Sequence, residues 1–503
     1  MGIFKIYILA ILTGFMTGVI TIPYRWIIGK SIYLREIMFD INNSKYYLIL
    51  AFIGIYLIGL VINKIAEDMP VIRGSGIPQV KGQIYGRVSI PNSLKGIILK
   101  FLGGVMGISV GYSLGREGPS VQMGALIGEQ ISKVFKVNRV ERKYLIMSGA
   151  SAGLSSAFTA PLASAIFVAE ELQKYFNSRL IVFSFLGAIT SGYMSSKIFL
   201  KNDYLDIKII YPEGLNYLEY IYITIAFAIF MSLVGKAFSN MLLFFQKKNS
   251  EIRISKYIKV FLYTAMIFII GIFYIDLTAG GESFLIKEAT ENSTSILILI
   301  FFIVLKLLFT TISYSTGFPG GIFLPLLVIG GLSGKLFGLI LVYFNILTVE
   351  NLGIFIFLGM ASAFVVVVRS PATGIILILE MTSDFTLLPS MVIIVGLAYT
   401  ISSFFKVYPV YDLLYEVLVK NDKSQEKVEL VYELGRESQL IGKEIADLSL
   451  PGKLQITSLE RQGSVVEVTG QTKLQLNDII GVLVPRKNIE GFYDSLRSLA
   501  KED

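Results

Sequence analysis

The stretch "GYSLGREGPSVQMGA", residues 111–125, sets Arg116 and Glu117 side by side between glycines in the middle of an apolar chain. Glycine interrupts regular helix, and proline is tolerated in the first turn of a new one. The stretch therefore predicts that one segment ends and a helix begins at this point. "GSGIP" (74–78) and "GFPGGIFLP" (317–325) predict two further breaks of the same kind.

The composition around these breaks is typical of a membrane protein. Of the 503 residues, 54% are hydrophobic and 16% are charged, whereas soluble domains are about 25% charged. Long apolar runs recur, such as "YYLILAFIGIYLIGLVI" (46–62) and "ILILIFFIVLKLLF" (296–309). The first run, residues 6–20, is interpreted as a membrane helix rather than a signal peptide, because similar runs follow along most of the chain. We therefore expect an all-α polytopic membrane protein.

The charged residues indicate topology and limit the chemistry. The basic connectors "KVFKVNRVERK" (133–143) and "QKKNSEIRISKYIK" (246–259) are predicted to face the cytoplasm by the positive-inside rule, so the net charge of +8 does not call for a nucleic-acid partner. The chain has no cysteine and no histidine. Proton handling near neutral pH must then use carboxylates, tyrosines or water. Because no nucleophile–base pattern, metal cluster or dinucleotide motif is visible, we expect neither an enzyme nor a cofactor.

The membrane part contains an internal repeat. Residues 149–171, "GASAGLSSAFTAPLASAIFVAEE", parallel residues 359–381, "GMASAFVVVVRSPATGIILILEM". In both copies a glycine precedes a proline by 12 positions, and that proline precedes a glutamate by 9. Upstream, "SLGREGPSV" (113–121) aligns loosely with "STGFPGGIF" (315–323). Duplicated halves with Gly/Pro-interrupted segments are typical of secondary transporters, whose substrates bind where the broken helices meet.

A helix that begins inside the membrane can bind an anion with its backbone alone. Its first N–H groups have no partner within the helix, and the end of the helix carries about half a positive charge. Glycines let the anion approach these amides closely. The alternative is that the breaks are turns between helices, but three breaks in a membrane setting favour an anion pathway.

Four motifs in this order, "GSGIP", "GREGP", "GGIFLP" and "PVYDLLYEVL" (409–418), resemble the signature motifs of the CLC chloride channel and transporter family. The resemblance spans roughly residues 1–422. It implies a homodimer with one pore per subunit and two inverted repeats of tilted, broken helices, which we place at roughly 30–200 and 220–420. It also implies chloride as the transported anion, since nitrate-preferring members carry proline where this chain has Ser75.

The resemblance assigns the anion site residue by residue. It implies that a central anion is bound by the hydroxyls of Ser75 and Tyr411 and by the backbone N–H groups of Ile322 and Phe323, and an outer anion by the amides around Arg116, Glu117 and Gly118. Taken alone, Ser75 is also a plausible helix N-cap, and Tyr411 a plausible interfacial aromatic.

Two glutamates bear on whether the protein is a channel or an exchanger. Glu117 resembles the gating glutamate of the family: ionised, it is a tethered anion that competes with chloride, and protonated it leaves the site. Its alternative role is to stabilise the helix dipole, paired with Arg116. Glu171 resembles the internal proton-transfer glutamate, which channels of the family usually lack; alternatively it belongs to a solvated helix end. Glu380, at the repeat-related position of Glu170, is expected to be structural.

These glutamates favour a proton-coupled chloride antiporter, with two chlorides per proton implied by the resemblance. A passive chloride channel is the first alternative. A remote alternative, a cation transporter, comes from the C-terminal residues, because they resemble a domain that also accompanies potassium channels. Against it, no "TVGYG"-like filter is present.

The chain changes character near residue 421, where polar residues begin to alternate with apolar ones. Residues 431–485 resemble the TrkA C-terminal (RCK-C) domain that accompanies many ion transporters. We predict a small α+β soluble domain over 426–503 that lies in the cytoplasm and either binds an unknown regulatory ligand or stabilises a dimer. The whole protein is expected in the plasma membrane of a prokaryote.

Overall fold

The described residues up to 420 are mainly helical, as the apolar runs predict. The computed structural model describes residues 2–174, 178–199, 207, 209–212, 214, 216–290, 295–420, 427–448, 450, 454–461, 464–485, 495–496 and 498–500.

The helices of the first half are α1 (Gly2–Phe39), α2 (Lys45–Asp68), α3 (Ile77–Ile84), α4 (Ser93–Ser109), α5 (Glu117–Val134), α6 (Arg139–Phe158), α7 (Pro161–Phe167) and α8 (Ser178–Ile198). A π-helical turn, Val168–Gln173, continues α7. The helices of the second half are α9 (Tyr217–Glu251), α10 (Lys256–Phe273), α11 (Glu282–Thr290), α12 (Ile296–Ser315), α13 (Phe323–Tyr343), α14 (Leu352–Val368), α15 (Pro371–Thr382), α16 (Leu388–Phe404) and α17 (Val410–Lys420).

Eight helices within the described residues are long and apolar enough to cross a membrane. Short helices such as α3, α7, α11 and α15 lie between them. The all-α polytopic class with broken helices is therefore confirmed. α14 is buried along its whole length and forms the centre of the second half.

The two halves are packed alike, through glycines on corresponding helices. A Cβ on Gly124 of α5 would lie 1.9 Å from the carbonyl oxygen of Gly149 on α6. In the second half, a Cβ on Gly359 of α14 would lie 2.3 Å from the carbonyl oxygen of Gly330 on α13. Only glycine allows backbones to approach this closely, which is a common way to pack membrane helices.

The C-terminal residues form a four-stranded antiparallel sheet in the order β1-β4-β2-β3. Its strands are β1 (Lys427–Glu433), β2 (Gln455–Arg461), β3 (Ser464–Val466) and β4 (Ile479–Pro485). The alternation of polar and apolar residues predicted strands in this region, and β3 is a short one of three residues. Asp478, fully buried before β4, accepts two hydrogen bonds from the guanidinium of Arg461 at 2.7 and 2.8 Å. This charge-assisted pair fixes the end of β2 against β4.

Candidate functional site

The three predicted breaks each open a helix. α3 follows Gly76, whose φ of 90° lies in the left-handed region that favours glycine. α5 begins at Glu117 after Arg116, and α13 begins at Phe323 after Ile322. Each helix also carries proline in its first turns. The first-turn N–H groups of three helices are thus available where the broken segments end.

Backbone hydrogen bonds hold the three breaks together. Gly115 and Gly321 exchange two N–H···O bonds, each 2.7 Å long, in an antiparallel bridge. Gly74 donates to the carbonyl of Gly317 at 3.2 Å and accepts from the N–H of Gly320 at 3.0 Å. Gly115 and Gly321 each donate to and accept from the other, and such a reciprocal pair is expected where a two-fold axis relates the two halves.

This bridge corrects the alignment of "SLGREGPSV" with "STGFPGGIF". Because Gly115 pairs with Gly321 and the helices begin at Glu117 and Phe323, "GREGP" corresponds to "GIFLP". The sequence-based register was displaced by four positions, since it matched the local pattern of serine and glycine rather than the hydrogen bonds.

Ser75 is fully buried, and its Oγ accepts a hydrogen bond from the N–H of Ile77 at 3.2 Å. The hydroxyl hydrogen is then free to point elsewhere, so the N-cap-like contact and an anion contact are compatible. Gly118 lies against Ser75: a Cβ added there would lie 2.7 Å from both the Cβ and the carbonyl oxygen of Ser75. Glycine at 118 is therefore needed to bring the start of α5 next to the start of α3.

Glu117 is fully buried, and within the described residues neither carboxylate oxygen makes a hydrogen bond of ordinary geometry. The backbone N–H groups of Glu117 itself and of Leu324, in the first turns of α5 and α13, both interact with the carboxylate. The carboxylate thus lies where two helix N-termini meet, which favours negative charge. Arg116 does not pair with it; its Nη1 lies 3.4 Å from Oε1 of Glu282.

Tyr411, at the start of α17, is fully buried, and its hydroxyl has no hydrogen-bond partner in the described part of the chain. An unpartnered buried hydroxyl costs about 1–3 kcal/mol, so a bound acceptor would stabilise it. The hydroxyl is within electrostatic range of both Glu117 and Glu171. Tyr411 is therefore a buried donor that both glutamates influence and that is available to a bound anion.

A cavity of about 1010 Å³ reaches these breaks from one side. Its lining includes Arg73, Lys247, Lys256 and Lys259, with Glu67 beside Lys256. All three of these lysines belong to the basic connector that predicts the cytoplasmic side, and the excess of cations attracts anions. The cavity is thus a funnel toward the start of α3.

Two buried lysines hold the irregular segments in place. Lys100 of α4 donates to the carbonyl oxygens of Ile72 and Gly74 at 2.8 and 2.7 Å. Lys306 of α12 does the same for two carbonyls of segment 277–279, at 2.7 and 3.0 Å. Neither lysine was predicted from the sequence to matter, although a lysine within an apolar helical run is a usable signal.

Glu170 of the first half caps a helix of the second half, and the repeat-related Glu380 of the second half caps a helix of the first. Glu170 accepts hydrogen bonds from the N–H groups of Ala372 and Thr373, at 3.1 and 2.8 Å, at the start of α15. Glu380 accepts from those of residues 162 and 163, at 3.0 and 2.8 Å, at the start of α7. Both are carboxylates at helix N-termini, so the structural role expected of Glu380 extends to Glu170.

Glu171 differs from its neighbour. It lies fully buried in the π-helical turn, and its Oε2 accepts from Lys174 Nζ at 2.8 Å and from the Ser370 hydroxyl at 3.1 Å. π-helical turns frequently mark functional positions, because they rotate the side chains that follow. Glu171 thus faces the protein interior, so the solvated helix end considered from the sequence does not apply.

The C-terminal domain contacts this region. Tyr85, after α3, packs into the hydrophobic core of the sheet, and its hydroxyl donates to the carbonyl oxygen of Gln173 at 3.3 Å. Arg179 at the start of α8 lies 3.3 Å from Glu433 of β1. One side chain therefore joins the core of the C-terminal domain to the turn that carries Glu171.

Comparisons with known proteins agree with the motifs. The voltage-gated chloride channel family matches residues 54–403, and the TrkA-C domain matches residues 430–497. An H⁺/Cl⁻ exchange transporter, ClcA of Vibrio campbellii, is 33% identical over 387 residues, which cover 75% of this chain and 80% of that protein. ClcA of Salmonella arizonae is 30% identical over 439 residues, covering 84% and 90%.

Solved structures share the fold. A slow cyanobacterial Cl⁻/H⁺ antiporter superposes with a TM-score of 0.73 at 23% identity, covering 84% of this chain and 99% of that one. A eukaryotic CLC transporter superposes with a TM-score of 0.66 at 19% identity, covering 84% and 77%.

Proposed function

The chain belongs to the voltage-gated chloride channel family, and on that premise we propose that it is a proton-coupled chloride antiporter that exchanges two chlorides for one proton. The observation that carries the proposal is the buried carboxylate of Glu117 at two helix N-termini, without an ordinary hydrogen bond among the described residues, together with a second buried glutamate, Glu171; both lie within electrostatic range of Tyr411.

The anion pathway runs from the basic cavity to the start of α3. Chloride sheds water and is held by partial charges: the hydroxyls of Ser75 and Tyr411 and the N–H groups of Ile322 and Phe323. Partial charges suit a transporter because the ion is bound without being trapped. The outer anion position is formed by the N–H groups around Arg116, Glu117 and Gly118.

Glu117 couples the two ions by competition. Ionised, its carboxylate occupies the position at the N-termini of α5 and α13 and excludes chloride. Protonated, it loses its attraction to the positive helix ends, and chloride takes its place. Chloride and proton thus compete for one location, and such a coupling is reciprocal.

Glu171 supplies the proton from the cytoplasmic side. It is buried in the π-helical turn, which Lys174 joins to Asp412 of α17, and Tyr411 is within electrostatic range of both Glu171 and Glu117. The chain has no histidine, so the proton crosses by water between the two carboxylates. No cofactor enters these steps.

Proteoliposome flux with chloride and pH read together tests the exchange. Wild-type protein should move protons against their gradient when a chloride gradient is imposed. Glu117→Gln should abolish proton transport and keep chloride flux, and Glu171→Gln should also lose proton coupling. A wild-type reversal potential that follows the chloride Nernst value at every pH gradient would favour the channel instead.

We also propose that the protein is a homodimer and that its C-terminal domain regulates transport from the cytoplasm. The chain has no cysteine, so a single-cysteine variant can test on which side of the membrane the C-terminal domain lies. Gln471→Cys places a thiol at an exposed position of that domain, and an impermeant reagent should label it only from the cytoplasmic side. Deletion after Lys423 should change flux or its response to cytoplasmic solutes; identical flux under all solutes would remove the regulatory role.

A further inference from the structure

Glu171 reaches the solvent only through its neighbours. It is 0% exposed, and its described hydrogen-bond donors are Lys174 and Ser370. Ser370 is itself buried, whereas the side chain of Lys174 is 33% exposed. Glu171 is not among the residues that line the anion cavity. The group that links it to the cytoplasm is therefore the ammonium of Lys174.

Lys174 is shared between two carboxylates. Its Nζ lies 2.8 Å from Oε2 of Glu171 and 3.4 Å from Oδ2 of Asp412. Because one ammonium contacts both oxygens, they can be at most about 6 Å apart. Asp412 follows Tyr411 on α17, is half-buried, and has a second ion pair with Lys81 of α3. A proton that neutralises Glu171 thus leaves Lys174 with Asp412 as its remaining partner.

Charged and titratable groups face Glu171 from each neighbouring element. They are Lys174 on its own turn, Lys81 on α3, Tyr411 and Asp412 on α17, and Tyr85, whose hydroxyl donates to the carbonyl oxygen of Gln173 in the same turn. Glu170 is turned instead toward the start of α15. Two cations close to Glu171, Lys81 and Lys174, both form ion pairs with Asp412. With Asp412 in place, the cluster of four carries no net charge while Glu171 is ionised.

We propose that Asp412 is a positioning residue for proton uptake: it holds Lys174 while Glu171 is protonated, and so sets the cytoplasmic pH at which the exchanger loads its proton. The proposal rests on the role proposed above for Glu171. Without Asp412, two unneutralised cations favour the ionised carboxylate, and a higher proton concentration is needed to neutralise it. Asp412 therefore allows Glu171 to take up a proton near neutral pH.

The expected displacement follows from one charge about 6 Å from another. For an effective dielectric constant between about 80 and 20, removing that charge moves a titration by roughly 0.5 to 2 pH units. Asp412→Asn should therefore move the pH profile of proton transport toward lower pH by about one unit. Asp412→Glu keeps the charge and should restore the profile. Lys174→Met should move the profile toward higher pH.

The test measures proton and chloride fluxes of full-length protein in proteoliposomes between pH 4.5 and 8. Glu416→Gln is the matched control: it removes the same charge one turn further along α17 and should move the profile less than half as far. Chloride flux above that of empty liposomes verifies that each variant is folded.

Two outcomes would overturn the assignment of Asp412. One is an unmoved profile in folded Asp412→Asn, and the other is a displacement no larger than that of Glu416→Gln. Failure of the underlying function is recognised separately: wild-type protein would then carry no protons, or Glu171→Gln would carry them normally, whatever Asp412→Asn does.

Discussion

Replacing Gly115 by alanine should dislodge the carboxylate of Glu117 without changing it chemically. A Cβ at position 115 would lie 2.3 Å from Oε2 of Glu117, closer than any real contact, and 3.2 Å from Cδ of Pro325. The φ of Gly115 is not in the left-handed region, so alanine fits the backbone, and the bridge to Gly321 uses only main-chain atoms. The end of a flexible side chain is what must move.

The size of the effect follows from the geometry. Ordinary contact requires about 3.4 Å, so the carboxylate oxygen has to retreat by about 1 Å. A side chain forced about 30° from its preferred rotamer costs about 0.5–1.5 kcal/mol, which lowers the population of the plugged state roughly 2- to 13-fold. Because the carboxylate competes with chloride, the apparent chloride Kd of Gly115→Ala should fall by the same factor, and fewer protons should accompany each chloride.

Calorimetric chloride titration and paired flux measurements would check this. Gly107→Ala is the matched control, because a Cβ on that buried glycine would meet only Cδ1 of Ile62, at 3.7 Å. Adding Gly115→Ala to Glu117→Ala should change nothing further, since no carboxylate remains to be displaced. A folded Gly115→Ala protein with wild-type chloride affinity and coupling would refute the placement of the Glu117 carboxylate as a plug.

Three further predictions concern other contacts. Tyr411→Phe removes one hydroxyl donor, worth about 0.5–1.5 kcal/mol, and should weaken chloride binding roughly 2- to 13-fold in the same titration; unchanged affinity would exclude the hydroxyl from the anion site. Glu170→Gln and Glu380→Gln each weaken charge-assisted caps and should lower stability by about 1.5–3 kcal/mol, seen as reduced thermal midpoints in detergent; a loss in only one would contradict their equivalence. Asp478→Asn should unfold the C-terminal domain more readily, because the buried pair with Arg461 is lost, and limited proteolysis should then cut after residue 420 sooner than in wild type.

The helix starts were predictable because glycine and proline act locally. Gly76 needs its left-handed backbone, and prolines follow each break within the first turns, so the sequence alone located the starts of α3, α5 and α13. The alignment of the two repeats near these breaks was not predictable, because the Gly115–Gly321 bridge joins residues that are far apart in the sequence.

The glutamates also show which features can be predicted from local sequence and which depend on long-range contacts. The spacing of Glu170 and Glu380 from their prolines revealed the repeat, but not that each carboxylate caps a helix of the other half. Likewise, the contact of Lys174 with Asp412 depends on how α17 packs beside the π-helical turn. Pairings of this kind follow from tertiary packing, which local residue patterns do not record.

The exchange of caps between the halves constrains the order in which the chain matures during synthesis. The N–H group of Leu162 at the start of α7 is bound by a carboxylate 218 residues later, at Glu380. When α7 leaves the ribosome, the acceptor that completes its first turn has not yet been translated. The first amides of α7 therefore lack this acceptor until nearly the whole membrane domain has been synthesised. A nascent chain stalled before residue 380 should accordingly remain open to protease near Pro161, and become resistant once Glu380 is added.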